Sequence, residues 1–189
     1  TSITDQQAES LSKVEYLYLN GLTSITDEQA ESLNSGEGFE INIRQNNRFS
    51  MELNGLTSIS NQQAENLSKI GNLELEGLTS ITDEQAEILR KVDYLYLNGL
   101  TSITDEQAES LCKVKTLYLN SLTSITDEQA EILGKTRILE LRGLTSITDE
   151  QAKSLSKVPL GLVISDACYD LVSAYAGSNK RFLRKASEK

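Results

Sequence analysis

The sequence contains no histidine and no tryptophan, and only one proline and one methionine among its 189 residues. Without histidine, the chain lacks the commonest general base and the commonest zinc ligand in proteins. It also has no nucleophile motif and no glycine-rich phosphate loop. We therefore expect a protein that is not an enzyme and that uses no cofactor and no metal.

The chain is also poor in cysteine and in long apolar segments. Its two cysteines, Cys112 and Cys168, are too few for a scaffold held by disulfides, and we expect no redox role for either. No apolar run approaches the roughly 18 residues that a membrane-spanning helix needs. With 28 acidic against 18 basic residues, the net charge is −10, which disfavours nucleic acid and anionic lipid as partners.

The main feature of the sequence is one segment that recurs along the chain. LTSITDEQAE stands unchanged at 22–31, 78–87, 100–109 and 122–131, returns at 144–153 with one change, and has looser copies at 1–9 and 56–65. Leucines at 73, 95, 117 and 139 set a period of 22 residues. A fixed period of this size is typical of a solenoid, in which each unit stacks on the next. Because Thr1 lies inside a copy, we expect the chain to be a cut or processed fragment.

Each unit predicts a strand, a turn and a short helix. In the unit 92–113, Tyr94 to Leu97 alternate between aromatic and aliphatic residues, as a half-buried strand does. After an Asn-Gly turn, Thr104 and Gln107 match a capping box, so a helix begins there. The residues expected to face the core are Val92, Leu95, Leu97, Leu100, Ile103, Ala108 and Leu111. The repeated segment is thus a helix start signal.

The spacing of Val92, Leu95, Leu97, Leu100 and Ile103 resembles the leucine-rich repeat. The I-T-D segment is similar to the cysteine-containing subclass of that family and to short bacterial repeats, although leucine replaces the characteristic Asn or Cys. The resemblance covers about residues 1–165. It implies an α/β solenoid, a right-handed superhelix with a parallel β-sheet on its concave face and short helices on its convex face. It also implies protein binding, without indicating which partner.

The repeat is interrupted at 34–50, where twelve extra residues are inserted. Phe39, Ile41 and Ile43 alternate, and Phe49, Met51 and Leu53 alternate again after a turn, which predicts a β-hairpin. The hairpin either adds a strand to the sheet or projects as a hook that carries Arg44 and Arg48 at its tip. The two alternatives have different consequences for function, because only the hook would present arginines to a partner.

The repeats end near residue 165, and the segment 166–189 is expected to cap them. A helix is predicted from Ala167 to Ala176, with Gly177 as its stop signal and with Leu171, Val172 and Tyr175 covering the open end of the core. The remaining tail carries five basic residues and one acidic residue. It is expected to be a solvated tail, a second capping helix, or a segment that docks on an acidic partner or on the acidic repeats.

Stacked strands should place equivalent outward side chains in three rows. The first row is Tyr16, Ser50, Asn72, Tyr94, Thr116 and Ile138; the second is Tyr18, Glu52, Glu74, Tyr96, Tyr118 and Glu140; the third is Asn20, Asn54, Glu76, Asn98, Asn120 and Arg142. Tyrosine is common at recognition surfaces, although stacked tyrosines can also merely stabilise a sheet. A candidate partner-binding site is therefore centred on Tyr94, Tyr96 and Tyr118, with Asn98 and Asn120 at its rim, Glu74 and Glu140 beside it, and Tyr16, Tyr18, Arg44 and Arg48 further out.

Two functional hypotheses follow. The first is a non-catalytic module that binds a protein or peptide through the Tyr-rich face; the second is a structural or surface-display array that serves as a spacer or adhesin stalk. The near-identity of the copies favours the second, whereas the tyrosines and the insertion favour the first. A row of calcium ions along the helix-start aspartates is disfavoured, because capping already explains those residues.

Overall fold

The computed structural model describes residues 2–34 and 49–188. Within these ranges the repeats form seven helices of seven residues, each beginning at Asp or Asn and ending at Leu. They are α1 (Asp5–Leu11), α2 (Asp27–Leu33), α3 (Asn61–Leu67), α4 (Asp83–Leu89), α5 (Asp105–Leu111), α6 (Asp127–Leu133) and α7 (Asp149–Leu155). Every one starts with a complete capping box, so the predicted helix start signal is confirmed in each copy.

The strands lie side by side in one parallel sheet, in the order in which they occur along the chain. They are β1 (Tyr16–Tyr18), β2 (Ser50–Glu52), β3 (Asn72–Glu74), β4 (Tyr94–Tyr96), β5 (Thr116–Tyr118), β6 (Ile138–Leu141), β7 (Gly161–Ile164) and β8 (Leu183–Lys185). Consecutive helices also contact each other, and the sheet does not close. The chain is therefore an α/β solenoid, as the 22-residue period predicts.

The core forms where the inward strand residues meet the helices of the same coil, a coil being one repeat unit. In the unit 92–113, six of the seven predicted core residues are at most 2 % exposed, and the seventh, Ile103, packs against the cluster while partly buried. The period-two pattern of the strand and the i, i+3 pattern of the helix therefore place the apolar side chains correctly. Neighbouring coils share these leucines in one continuous core.

The capping-box glutamines also connect the coils, a role that sequence reasoning missed. The Gln107 side-chain oxygen accepts a hydrogen bond from the Thr104 backbone N–H at 3.0 Å, while its Nε2 donates to the Ile81 carbonyl of the preceding coil at 2.9 Å. Equivalent bonds to the preceding coil come from Gln29, Gln63, Gln85, Gln129 and Gln151. An amide side chain can accept and donate at once, whereas an ionised carboxylate can only accept, which explains why glutamine rather than glutamate fills this position.

The glycine that follows most of the repeat strands lies where two coils approach closely. A β-carbon on Gly99 would lie 2.2 Å from the Glu76 carbonyl oxygen and 2.4 Å from that of Leu78, both in the preceding coil. Gly55, Gly77 and Gly143 face the same obstruction, whereas Gly21 of the first coil has nothing within 4 Å. The glycine thus favours close approach between coils, although Ser121 fills the equivalent position in one copy.

At the C-terminal end, α8 (Asp166–Tyr175) follows the last repeat strand, within one residue of the predicted helix. Val172 is fully buried and Leu171 packs against the core, but Tyr175 is 42 % exposed. The expectation that Tyr175 covers the core is wrong, because its hydroxyl instead donates to Asp149 at 2.9 Å on the neighbouring helix. Gly177 has φ +49°, the left-handed conformation expected of a helix stop.

The basic tail packs against the end of the repeats rather than extending into solvent, and it does so as a strand, which was not predicted. A 3₁₀ helix, Gly177–Phe182, leads into β8, which pairs in parallel with β7 and gives the sheet of the described residues an eighth strand that the sequence did not predict. Leu183 occupies the inward position and is 7 % exposed. A short strand forms here because the edge of β7 offers unpaired backbone groups that a following segment can satisfy.

The predicted hairpin at 34–50 lies mostly outside the described residues. Its second arm is described from Phe49 onward and is a strand of the repeat sheet, since β2 pairs in parallel with β1 on one side and β3 on the other. Phe49, Met51 and Leu53 are buried in the core. Both edges of β2 are thus occupied by neighbouring coils.

Candidate functional site

The pairing register places the outward side chains in the predicted rows. Tyr94 lies beside Thr116 and Tyr96 beside Tyr118, while Leu95 and Leu117 alternate with them and point into the core. The aromatic residues therefore occupy positions that the core does not require. We call Tyr94, Tyr96 and Tyr118 the Tyr cluster, and the surface that carries the three rows the outer face.

Two members of the Tyr cluster stack directly. The rings of Tyr96 and Tyr118 lie 3.9 Å apart between centroids and are within 5° of parallel. Both side chains are half-buried, and burial raises the pKa of each phenol, with a hydrogen bond between the two hydroxyls that raises the pKa of Tyr96 further. The stack is thus a rigid, neutral aromatic surface over the ordinary pH range.

The first row is more covered than the sequence predicts. Thr116, which lies beside Tyr94, is only 3 % exposed, and Ser50 is 9 % exposed. These two small side chains form low points between larger neighbours. The outer face is therefore uneven, with the tyrosines standing above it.

Tyr16 and Tyr18 lie on β1, at the first edge of the sheet. Their side chains are 62 % and 63 % exposed, the highest values among the large apolar and aromatic residues that are described. Glu52 and Glu74 separate Tyr18 from Tyr96 in the second row. The face therefore holds two aromatic groups with carboxylates between them.

Those carboxylates have no cationic partner among residues 2–34 and 49–188. No ion pair among the described residues involves Glu52, Glu74 or Glu76, which instead accept hydrogen bonds from Asn20, Asn54 and Asn98. Burial raises the pKa of Glu74, and the nearby charges of Glu52 and Glu76 add to this effect, although the hydrogen bond from Asn54 opposes it. The region between the two aromatic groups is therefore electronegative.

Glu140, on the other side of the Tyr cluster, is neutralised. Its carboxylate is 2.7 Å from the Arg142 guanidinium, which also donates to the Ala186 carbonyl at 2.8 Å. The charge of the outer face consequently changes along the sheet, from unpaired carboxylates on β2 and β3 to paired and basic groups toward β8.

The asparagines of the third row have a structural role that sequence reasoning missed. The Asn98 side-chain oxygen accepts a hydrogen bond from the Asn120 backbone N–H at 3.0 Å, and Asn120 accepts one from Arg142 in the same way at 3.0 Å. Asn20 and Asn54 do the same in earlier coils. The sequence offered one signal of this role, which is that asparagine recurs at the same register position in several units. Asn98 and Asn120 do border the Tyr cluster, and their contact with a partner stays a prediction.

The helix-start aspartates bond to neighbouring coils. Asp83 accepts from the Thr104 hydroxyl at 3.0 Å, and Asp127 accepts from the Thr148 hydroxyl at 3.1 Å. Across the part of the chain that the structure describes, no group of three or more Asp, Glu or Cys side chains is arranged to hold a metal ion. The aspartate row is thus part of the contact between coils.

The remaining candidates lie elsewhere. Arg44 and Arg48 fall outside the described residues. Cys112 is partly buried, which raises the pKa of its thiol, and Cys168 is buried under the last coils; both are unpaired. None of the helices in residues 2–34 and 49–188 has the length and apolar content needed to cross a bilayer.

Comparison with protein-family models gives no match, and no curated protein is significantly similar to the chain.

Proposed function

We propose that this protein is a non-catalytic binding module of the leucine-rich-repeat type, which recognises a protein or peptide through the Tyr cluster and its surroundings. The leucine-rich-repeat assignment is supported by the buried leucines at fixed register. Leu95, Leu97 and Leu100 are fully buried, and their counterparts recur every 22 residues within and just after the parallel strands.

The observation that carries the binding proposal is the position of the Tyr96–Tyr118 stack. In the two strands that carry the stack, the residues that alternate with the tyrosines are buried in the core. Packing of the core therefore does not require aromatic residues on the outer face. Tyrosine offers a large, rigid contact area with a polar tip, which suits a surface that must stay soluble before it binds. Equivalent positions on other strands hold Ser, Asn and Glu, which shows that the fold tolerates polar residues there.

The charges on the face favour a partner that is apolar at its centre and basic at one edge. The stack would contact the apolar centre, while Glu52, Glu74 and Glu76, which have no described cationic partner, would pair with lysine or arginine. An arginine could also lie over the exposed rings of Tyr16 and Tyr18. Since these carboxylates lie toward β1, the basic part of the partner would bind at that end.

The test is a peptide selection on the immobilised wild-type chain, with counter-selection on the triple variant Tyr94→Ala, Tyr96→Ala, Tyr118→Ala. We expect selected sequences to have an apolar centre and flanking Lys or Arg, and to bind the triple variant about tenfold or more weakly. Tyr175→Ala is the matched control, because it removes an exposed tyrosine from α8 rather than from the outer face.

A further variant distinguishes binding through the Tyr cluster from binding through the insertion at 34–50. Shortening residues 37–48 to a tight loop removes Arg44 and Arg48 but leaves β2 and the Tyr cluster in place. Loss of binding only in this variant would move the site to the insertion and overturn the proposal.

The alternative is a structural or surface-display array. The regular bonds between coils from Gln107 and Asn98 favour it, since they would make a rigid spacer. They also explain the near-identity of the copies without any function beyond folding. Failure of the selection to return any sequence that depends on the tyrosines would favour the array.

A further inference from the structure

A small cleft opens on the outer face near the C-terminal end of the sheet, apart from the Tyr cluster. It has a volume of about 230 Å³, and its apolar lining comes from Ile138, Leu160, Val163 and Phe182. Leu160 is 44 % exposed, which is unusual for leucine in a chain whose other leucines are mostly buried. A cleft of this size is smaller than a typical drug-sized pocket and suits one side chain.

The cleft exists because Gly161 interrupts the first row. Gly161 pairs in register with Ile138, and its missing side chain leaves a gap in the outer face. A β-carbon there would lie 3.5 Å from the nearest Ile138 carbon, which is ordinary contact, and Gly161 is not among the glycines with positive φ. The backbone therefore does not require glycine, and the gap can be filled by substitution without strain.

Two arginines, Arg181 and Arg184, border the cleft. Both are exposed, and none of the ion pairs in the described part of the chain engages either of them. The Arg181 guanidinium carbon lies 4.5 Å from the centre of the Phe182 ring, so the ring supports one face of the guanidinium while its N–H edges stay available. In a chain with a net charge of −10, two arginines with no carboxylate partner among the described residues form a local anion-attracting site.

We propose that this cleft binds the C-terminal carboxylate of a peptide whose last side chain is apolar. A guanidinium binds a carboxylate through two parallel hydrogen bonds, and the apolar floor takes the side chain attached to the same α-carbon. Aspartate and glutamate side chains offer a carboxylate without a branched apolar group, and a long acyl chain exceeds the volume. A C-terminal leucine, isoleucine or valine carries both required features within a few ångströms.

The experiment is a titration of the full ¹⁵N-labelled chain followed by NMR. The probes are N-acetyl-glycyl-leucine with a free carboxylate, the same compound as its C-terminal amide, and inorganic phosphate. We expect saturable shifts of the Gly161, Val163 and Phe182 backbone amides with the free carboxylate. The amide and phosphate should bind about tenfold or more weakly, because each lacks one of the two features. Equal binding of phosphate would show a simple anion site and would overturn the proposal, as would equal binding of the amide.

Variants test the cleft itself. Gly161→Val should fill the gap and abolish the shifts, with the rest of the spectrum unchanged. Arg181→Gln and Arg184→Gln should each weaken binding about tenfold. Lys180→Gln is the matched control, because it removes a neighbouring positive charge that does not line the cleft. Undiminished binding by Gly161→Val, or an equal loss in the lysine control, would contradict the assignment.

This site does not depend on the Tyr cluster, which lies on β4 and β5. The Tyr94, Tyr96 and Tyr118 triple variant should therefore bind N-acetyl-glycyl-leucine as the wild type does. The two proposals can thus fail separately.

Discussion

The side chain of Gln107 makes hydrogen bonds in two directions, and this explains why the repeated segment varies so little. Its oxygen closes the capping box of α5, and its nitrogen reaches the Ile81 carbonyl of the preceding coil. Thr104 adds a bond from its hydroxyl to Asp83 of that coil. Changing one of these residues therefore disturbs both the start of a helix and the contact between coils.

Replacing Gln107 with Glu should lower the free energy of unfolding by about 1–3 kcal/mol. Glutamate can still cap the helix, but its carboxylate would face the Ile81 carbonyl without a proton to donate. Gln7→Glu is the matched control, because Gln7 caps α1 and its side chain makes no hydrogen bond to another coil among the described residues. Urea denaturation of both variants measures the difference, and equal losses would show that the bond to the preceding coil contributes nothing.

Glu74 gives a prediction for pH dependence. Burial raises its pKa from the ordinary value of 4.5, so the folded state holds this proton more tightly than the unfolded state. The protonated carboxyl therefore contributes to the free energy of unfolding. This contribution is complete below pH 4.5, and it is lost as the pH rises through the raised pKa of Glu74 in the folded state. Glu74→Gln should therefore gain stability relative to wild type between pH 4 and pH 7.

The control for Glu74 is Glu131→Gln, which changes an exposed carboxylate on α6. Thermal or urea denaturation at the two pH values gives the comparison. A pH-independent difference between Glu74→Gln and wild type would show that Glu74 is not desolvated on the outer face.

At the scale of elements, strand and helix in each coil are held by a shared apolar core. Leu97→Ala should cost about 2–5 kcal/mol, because it leaves a cavity among residues of neighbouring coils. Thr104→Ala should cost about 1 kcal/mol through the lost cap. Urea titration of the two variants compares these values, and negligible effects from both would mean that the inward and outward assignments are wrong.

The turn after each strand is set by close approach between coils. Gly99→Ala should cost about 1–3 kcal/mol, since its β-carbon would meet two carbonyl oxygens of the preceding coil. Ser121 stands at the equivalent position in one copy, so the coils can separate enough to accept a side chain, and folding should survive. Gly21→Ala, with open space around it, should change stability by less than about 0.5 kcal/mol. Similar melting temperatures for the two variants would contradict this explanation.

The sequence predicted the repeat strands, the helix starts and the register of the outward rows, because each depends on local patterns such as Thr104 with Gln107. It could not predict the bonds from Gln107 and Asn98 to other coils, since these depend on distances across the stack. It also missed β8, where Leu183, Arg184 and Lys185 look like a basic tail. That strand forms only because the edge of β7 is available.

At the scale of the whole molecule, the same face carries different chemistry along its length. Electronegative carboxylates and exposed tyrosines lie toward β1, the Tyr cluster lies in the middle, and the cleft bordered by Arg181 and Arg184 lies toward β8. The repeated residues build the solenoid, while many of the residues that differ between copies lie on this face. We propose that these differing residues, and the Tyr cluster above all, recognise a partner.

The most direct test is the affinity of one selected peptide for wild type, for the triple variant Tyr94→Ala, Tyr96→Ala, Tyr118→Ala, and for Tyr175→Ala, measured by fluorescence polarisation. Circular dichroism of each protein verifies that the fold is retained. We predict that the affinity for the peptide falls about tenfold or more in the triple variant and is unchanged in Tyr175→Ala. Equal affinity of all three proteins for every selected peptide would contradict it.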